Sequence, residues 1–277
     1  MSTGTGTGGG TGAAGGRATG TYAPKPGAAP VGRMIAAQAA FETRMLLRNG
    51  EQLLLTVIIP SLLLVLFSTV DIVAVPTGTA GGGGEAVDFL APGVLALAVM
   101  STAFTGQAIA TGFERRYGVL KRLGASPLPR WALMTAKTLS VLVTEILQIA
   151  LLTAIAFGLG WSPHGGPLSV ALLLVAGTAA FSGLGLLMAG TLKAEATLAA
   201  ANLVFLLLLV GGGVIVPLER FPDAARPVLE LLPISALSGG LRDVLQHGAG
   251  LPWGELGVLT AWAVLGLGAA ARFFRWE

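Results

Sequence analysis

Few side chains in this sequence could take part in chemistry. Its 277 residues include 14 Asp and Glu, 17 Lys and Arg, two histidines and no cysteine. Thiolate and disulfide chemistry are therefore excluded. His164 and His247 fall in different predicted loops, so no metal site is expected. Residues 4–9, GTGTGG, fit the GxGxxG pattern, but no strand precedes them and a low-complexity segment explains them better.

The most charged stretch, ERRYGVLKRLGASPLPRWALMTAK at residues 114–137, lies between two long apolar runs. Its first part, about residues 114–123, predicts a helix of two to three turns that carries Val119, Leu120 and Leu123 among its charges. A short, exposed amphipathic helix of this kind can dock into a groove of another protein. The alternative is that its cations only set the orientation of the chain in a membrane.

The elements around this stretch are predicted to span a membrane. Mean hydropathy is +0.78, and 53% of residues are hydrophobic while 11% are charged. Although the net charge is +3, the cations flank apolar runs, so nucleic acid is not an expected partner. Runs of about 20 apolar residues can cross the bilayer as helices, which satisfy their own backbone. The sequence predicts an all-α integral membrane protein with six spans, at about 53–75, 89–112, 132–159, 168–191, 196–216 and 255–274.

The segments before the first span are predicted to differ from each other. Residues 1–30 are rich in Gly, Thr, Ala and Pro and predict a disordered cytosolic tail. In residues 31–50, arginine and apolar side chains fall on separate faces of a helix, which predicts an amphipathic interfacial helix on the membrane surface. An ordinary cytosolic helix is the alternative. Residues 51–277 would then form the six-helix domain.

The distribution of Lys and Arg predicts the orientation. Fourteen of the 17 lie in the N-terminal segment, the second and fourth loops with their flanks, and the C-terminus. The other connections carry only Arg220, Arg226 and Arg242. By the positive-inside rule, both termini and residues 114–137 face the cytosol. The Ala- and Gly-rich composition favours a bacterial source, so the expected location is the bacterial cell (inner) membrane.

Glu145 stands out because it lies inside a predicted span, eight residues beyond Lys137. At 1.5 Å per residue it is roughly 12 Å deeper, where a charge costs about 2.5–3.5 kcal/mol. Gln148 shares its helix face, and Ser140 does so more loosely. Two interpretations stay open: these residues line a path for cationic amphiphiles, or they form an interhelical hydrogen bond.

Two blocks of this sequence, in the order found in the family, resemble the permeases of type-two ATP-binding-cassette exporters of the daunorubicin-resistance kind. The resemblance covers nearly the whole chain after residue 30. In that family a coupling helix, a small-Pro-x-Pro element and a lysine within the third span follow the second span. Here the matching residues are Glu114, Gly118, Leu120, Lys121, Arg122, Leu123, Ser126, Pro127, Leu128, Pro129 and Lys137. The second block, residues 216–245, resembles the family's short helices in the outer leaflet, which would occupy about 217–249.

The resemblance implies a non-catalytic subunit of an exporter for drug-like or lipid-like amphiphiles, as in multidrug efflux and antibiotic resistance. Such permeases pair as dimers, here most simply a homodimer, contact membrane lipid and are driven by a separate ATPase that binds ATP-Mg. This chain has no GxxxxGK(S/T) phosphate loop and is expected to bind no cofactor itself. The residues implied to couple to the ATPase are Glu114, Arg115, Arg116, Tyr117, Val119, Leu120, Lys121 and Leu123.

Other functions and sites remain open at this point. Within the family, export of a lipid-linked polysaccharide is the alternative, and outside it a proton-coupled carrier using Glu145 or a non-transporting scaffold. The triplet Gly211, Gly212 and Gly213, shortly before Pro217, is a candidate outer gate or a site of close packing.

Overall fold

The computed structural model describes residues 29–48, 50–69, 83–214 and 221–274, and these ranges contain helices and connections but no strand. The α-helices are α1 (Val31–Arg48), α2 (Gly50–Thr69), α3 (Gly83–Val99), α4 (Gln107–Arg116), α5 (Val119–Gly124), α6 (Arg130–Gly158), α7 (Pro167–Thr191), α8 (Ala194–Gly211), α9 (Arg226–Glu230), α10 (Pro233–Leu245) and α11 (Trp253–Phe273). A π-helical segment, Met100–Gly106, joins α3 to α4.

Five helices in the described residues are long and apolar enough to cross a membrane: Val87–Arg116, Arg130–Gly158, Pro167–Thr191, Ala194–Gly211 and Trp253–Phe273. The all-α membrane class is therefore confirmed. The predicted first span, 53–75, includes α2, whose described apolar stretch is only Val57–Leu66. The remainder of that span and residues 1–28 of the predicted tail lie outside the described residues. The sixth span stays a prediction.

The second span is the centre of the fold. Its helix runs from Val87 to Arg116 without interruption, and nearly every side chain between Leu90 and Phe104 is buried. The helix packs against α2, α6, α7, α8 and α10. A π-helical insertion in mid-span rotates the residues that follow it relative to a regular α-helix. The two halves of this span therefore present different faces to their neighbours.

The bundle has two distinct ends. At the first, which we call the α5 end, α5 meets the start of α6 and the ends of α7 and α11 in a small apolar cluster: Leu120, Leu133, Met134, Leu186, Ala270 and Phe274. At the other, the α10 end, the backbone N–H of Ser162 donates to Asp88 Oδ1 (2.9 Å) and that of His164 to the Leu245 carbonyl (2.9 Å). The second and fourth loops, which are rich in cations, and the end of α11 all lie at the α5 end. The cations are therefore concentrated at one end of the bundle and not spread evenly over both.

Helices α7 and α11 cross at a glycine contact. A Cβ atom placed on Gly183 would lie 2.6 Å from the backbone nitrogen of Leu267 and 2.8 Å from the carbonyl carbon of Gly266. Small residues allow helix backbones to approach this closely in a membrane, where van der Waals packing drives association. Residue 183 must therefore be glycine, because the atoms nearest to an added Cβ belong to the backbone of α11, which cannot move aside as a flexible side chain could.

We expect Gly183→Ala to destabilise the protein by about 1–3 kcal/mol, because its methyl group would force α7 and α11 apart. The matched control is Gly268→Ala on α11, where an added Cβ meets nothing within 4 Å. There, alanine should be neutral or slightly stabilising in a helix interior. Melting temperatures in detergent would compare the two variants, and equal melting temperatures would contradict the close contact.

Candidate functional site

The coupling segment between the second and third spans is divided into two helices, and the prediction of one helix over 114–123 was wrong. Glu114 to Arg116 continue the second span, and α5 begins only at Val119. Gly118 separates them with φ of +70°, a left-handed conformation that glycine adopts without the steric cost paid by other residues. The break lets α5 turn away from α4 at the point where the chain leaves the bundle.

The faces of α5 differ in exposure. Leu120 is fully buried in the apolar cluster of the α5 end, which corrects its prediction as a residue facing a partner. Tyr117, just before the helix, is 70% exposed and Val119 is 40% exposed. Lys121 is exposed and Leu123 is partly buried. The surface of this segment is therefore formed by Tyr117, Val119 and the cations, and Leu120 anchors it from behind.

Two predicted coupling residues contact the loop between α7 and α8. The Arg115 guanidinium donates to the Leu192 carbonyl, and Arg116 forms a salt bridge with Glu195 in the first turn of α8. Both contacts join the end of the second span to the start of α8. These arginines therefore hold connections at the α5 end together, in addition to contributing positive charge there.

A buried ion triad lies directly inside this end. The Lys137 ammonium on α6 is 2.9 Å from Glu42 Oε2 on α1 and 2.6 Å from Glu114 Oε2 on α4. The Lys137 side chain is only 4% exposed. Glu42 also accepts a hydrogen bond from Gln38 Nε2 (2.8 Å). One ammonium therefore ties the surface helix α1 and the two spans together.

Sequence reasoning identified Glu114 and Lys137 within a motif but missed Glu42. A signal was available, because Glu42 is the one acidic residue in α1, whose other charges are arginines. A lone carboxylate on a helix that should face anionic lipid headgroups is costly unless a cation compensates it. Its partner lies 95 residues away in sequence, so spacing could not reveal the pair.

The triad borders a cavity of about 560 Å³ enclosed by α1, α4, α5 and α6. Apolar side chains such as Phe41, Met45 and Leu123 supply much of its wall, and Ser140 and Thr144 line the α6 side. The cavity lies between α5, α1 and two spans. A change in the position of α5 would therefore change the shape of the cavity.

The sequence predicted that Ser140, Gln148 and Glu145 form one polar patch. The structure does not bring these three side chains together. Ser140 lines the cavity and donates to the Lys137 carbonyl (2.8 Å). Gln148 accepts from Thr102 Oγ1 in the π-helical segment (2.9 Å), whereas Glu145 accepts from Thr178 on α7. Glu145 is buried in this contact, which is the kind of interhelical hydrogen bond that the second interpretation expected.

At the α10 end, the glycine triplet is held by α10. Gly213 has φ of +66°, and a Cβ on Gly212 would overlap the Ile234 side chain. Arg242 Nη1 donates to the Gly213 carbonyl (2.7 Å) and Nη2 to that of Val214 (2.8 Å). Close packing therefore accounts for the triplet in this conformation. Pro217 lies outside the described residues.

The Arg242 guanidinium also joins a third element, because its carbon lies 4.4 Å from the centre of the Phe89 ring on α3. This is within the range of a cation–π contact. Arg242 thus links the end of α8, helix α10 and the start of the second span. No metal-binding cluster of three or more His, Cys, Asp or Glu occurs in the described parts of the chain.

Comparison with known proteins identifies a family for this sequence. Residues 33–272 match the sequence profile described as "ABC-2 family transporter protein". The chain belongs to the ABC-2 family. It is also 25% identical over 231 residues to a protein of Bacillus subtilis (strain 168) named "Putative transport permease YvfS", an alignment that covers 82% of this chain and 91% of the relative.

Membership of the ABC-2 family makes the chain a membrane-embedded, non-catalytic subunit of an ABC transporter, and implies an ATPase as partner. The triad and the divided coupling segment are thus the parts of an ABC-2 permease that lie nearest to the predicted contact with that ATPase. The Arg242 contacts belong to the opposite end of the same permease.

For the triad, we expect Lys137→Met to lower the free energy of unfolding by about 2–3 kcal/mol, because two partly buried carboxylates would lose their shared cation. Combining it with Glu42→Gln and Glu114→Gln should recover more than half of that loss, since neutralising a whole buried ion cluster costs little. Chemical unfolding in detergent measures both variants. Lys193→Met, at an exposed lysine of the same end, is the control. A triple variant as unstable as the single one would show that charge balance is unimportant.

For Arg242, we expect Arg242→Met to speed hydrogen exchange of the amides of residues 211–214 about tenfold or more. The two charged hydrogen bonds it removes are worth about 1.5–3 kcal/mol each. Asp243→Asn, at the next position, is the control because the Asp243 carboxylate lies on the surface, 3.5 Å from His247 Nδ1. Unchanged exchange in Arg242→Met would mean that the turn is held by packing alone.

Proposed function

We propose that this ABC-2 permease exports drug-like or lipid-like amphiphiles across the bacterial inner membrane, with its α5 end and both termini in the cytosol. It would work as a homodimer and take its energy from a separate ATPase that docks on the coupling segment. The observation that carries this proposal is the division of that segment into an exposed face and an anchored one. Tyr117, Val119 and Lys121 are accessible to a partner, while Leu120 is packed into the bundle.

The anchored face gives the ATPase a mechanical route into the membrane. Leu120 packs in one cluster with residues of α6, α7 and α11, including Leu133, Leu186 and Phe274. A displacement of α5 must therefore move those helices or disrupt the cluster, because packed interiors do not deform continuously. Nucleotide-driven movement of the ATPase could in this way bias the permease between inward-facing and outward-facing packings.

The orientation is supported by charge. Arg115, Arg116 and Lys121 belong to the α5 end, together with Lys193 and Arg272. Such an excess of cations next to spans is typical of cytosolic connections. The α10 end would then face outward, and opening an outer gate there would require the contacts of Arg242 with the glycine triplet to separate.

The amphiphile cargo is supported by the chemistry of the lining beside the coupling segment. A cavity of about 560 Å³ with largely apolar walls and a few polar groups suits molecules of drug size. Glu145 does not line it, and its hydrogen bond to Thr178 places it between α6 and α7. We therefore assign Glu145 to helix contact and leave the cargo to the region bordered by Ser140.

The docking proposal predicts that the double variant Tyr117→Asp, Val119→Asp will reduce co-purification of the ATPase at least about tenfold. Replacing two apolar side chains of the contact with carboxylates that must lose water on docking would cost well above the 1.4 kcal/mol that corresponds to this factor. Val228→Asp, at a 66% exposed valine of α9 towards the α10 end, is the matched control and should co-purify normally. The partner is identified by mass spectrometry after pull-down from native membranes.

The same proteins in proteoliposomes test the energy source. Efflux of a fluorescently labelled monoacylglycerol should require the ATPase and ATP, and should be lost in the double variant. Transport by the permease alone, driven by an imposed proton gradient, would instead support a secondary carrier and overturn the proposal.

A further inference from the structure

The cavity beside the triad has the properties of a ligand site that the docking of an ATPase does not explain. Its volume of about 560 Å³ lies within the range of roughly 300–1,000 Å³ typical of small-molecule sites. A single-chain amphiphile is of the drug-like size that such sites bind.

A buried amide in the cavity lining has no partner. Gln107 of α4 is only 5% exposed, and neither its Nε2 nor its Oε1 forms a hydrogen bond with any described residue. Buried polar atoms in folded proteins are nearly always hydrogen-bonded, and an unmade bond is costly. Neighbouring groups cover both atoms, so the Gln107 side chain must turn towards the cavity before a ligand hydroxyl group, which offers one donor and one acceptor, can satisfy one or both of them.

The charges around the cavity favour a neutral ligand. Its lining contains two carboxylates, Glu42 and Glu114, one ammonium, Lys137, and one guanidinium, Arg122, so the formal charges balance. The ammonium is already shared by both carboxylates. The triad by itself carries a net formal charge of −1, which Arg122 offsets, so an ionic ligand would leave the lining and ligand together with an unbalanced charge in a largely apolar space, at a cost.

The apolar wall supplies a place for a chain. Phe41 and Met45 line the cavity from α1 and are 58% and 59% exposed, so their side chains are accessible to a ligand. We propose that this cavity binds one uncharged, single-chain amphiphile, with its hydroxyl-bearing head at Gln107 and its chain along α1. Because Val119 and Leu123 of the coupling segment also line the cavity, occupancy would be linked to the position of α5.

The inference rests on the proposed function, since it names the ligand class of the same cavity, but binding to the permease requires neither the ATPase nor transport and is tested without them. The test uses the purified full-length chain in lipid nanodiscs with a diazirine-bearing monooleoylglycerol. Photolabelling should concentrate on residues of the cavity lining, such as Phe41, Met45 and Leu123. Unlabelled monooleoylglycerol should compete at about tenfold lower concentration than oleyl sulfate or oleyltrimethylammonium, which have the same chain and a permanent charge.

Two variants and a control locate the site. Gln107→Leu should weaken competition by monooleoylglycerol about three- to tenfold, the effect of losing one or two neutral hydrogen bonds. Ala110→Phe should fill the cavity and abolish specific labelling. Ala179→Phe makes the same change in a separate cavity of about 260 Å³ between α6, α7 and α11, and should leave labelling intact.

Three results would overturn the proposal: labelling spread evenly over lipid-facing helices, stronger competition by either charged analogue, or unchanged affinity in Gln107→Leu. Size-exclusion profiles establish that each variant is folded. If Ala110→Phe is not folded, Gln107→Leu alone tests the proposal, since leucine is close in size to the native glutamine. Tyr117→Asp alone, at a residue outside the cavity lining, should weaken ATPase docking without altering labelling, so failure of one proposal is distinguishable from failure of the other.

Discussion

The buried ammonium of Lys137 imposes the main constraint on the α5 end of this protein. A cation inside a spanning helix is expensive unless carboxylates compensate it, and here they come from α1 and α4. One carboxylate is enough to neutralise the ammonium, and the second is a further anion that depends on the same cation, so all three groups pair only when α1 and α4 are both in place. The triad therefore holds α1 against α6 and joins both to the end of the second span. The same three residues form part of the cavity boundary.

At each end of the bundle, one cation joins several elements, but the groups that it contacts differ between the two ends. At the α5 end an ammonium meets carboxylates, whereas at the α10 end the Arg242 guanidinium meets backbone carbonyls and an aromatic ring. In each case one cation joins three elements that are distant in sequence. Such contacts can be broken and remade as a unit, as alternating access requires of the two ends of a transporter. Between them, the glycine contact of α7 and α11 provides close backbone packing that needs no polar group.

Several sequence interpretations failed for a common geometric reason. Ser140 and Glu145 are five residues apart, which places them about 140° apart around a helix. They consequently face a cavity and α7, respectively. The predicted coupling helix treated Glu114 to Leu123 as one unit, but Gly118 takes a left-handed conformation that lets the chain change direction. Leu120 then faces the bundle, although its spacing alone was compatible with a docking face.

The amino-acid sequence by itself determined the membrane class, the five spans that the structure describes, the cation-rich end and the family. These properties depend on hydropathy, charge and short motifs, which can be recognised in the linear sequence. Only the tertiary structure decided that Glu42 completes the triad, that the Gln107 amide beside the cavity has no partner among the described residues, and that Arg242 holds the glycine triplet. Each depends on how helices rotate and cross, which sequence spacing within a single helix does not specify.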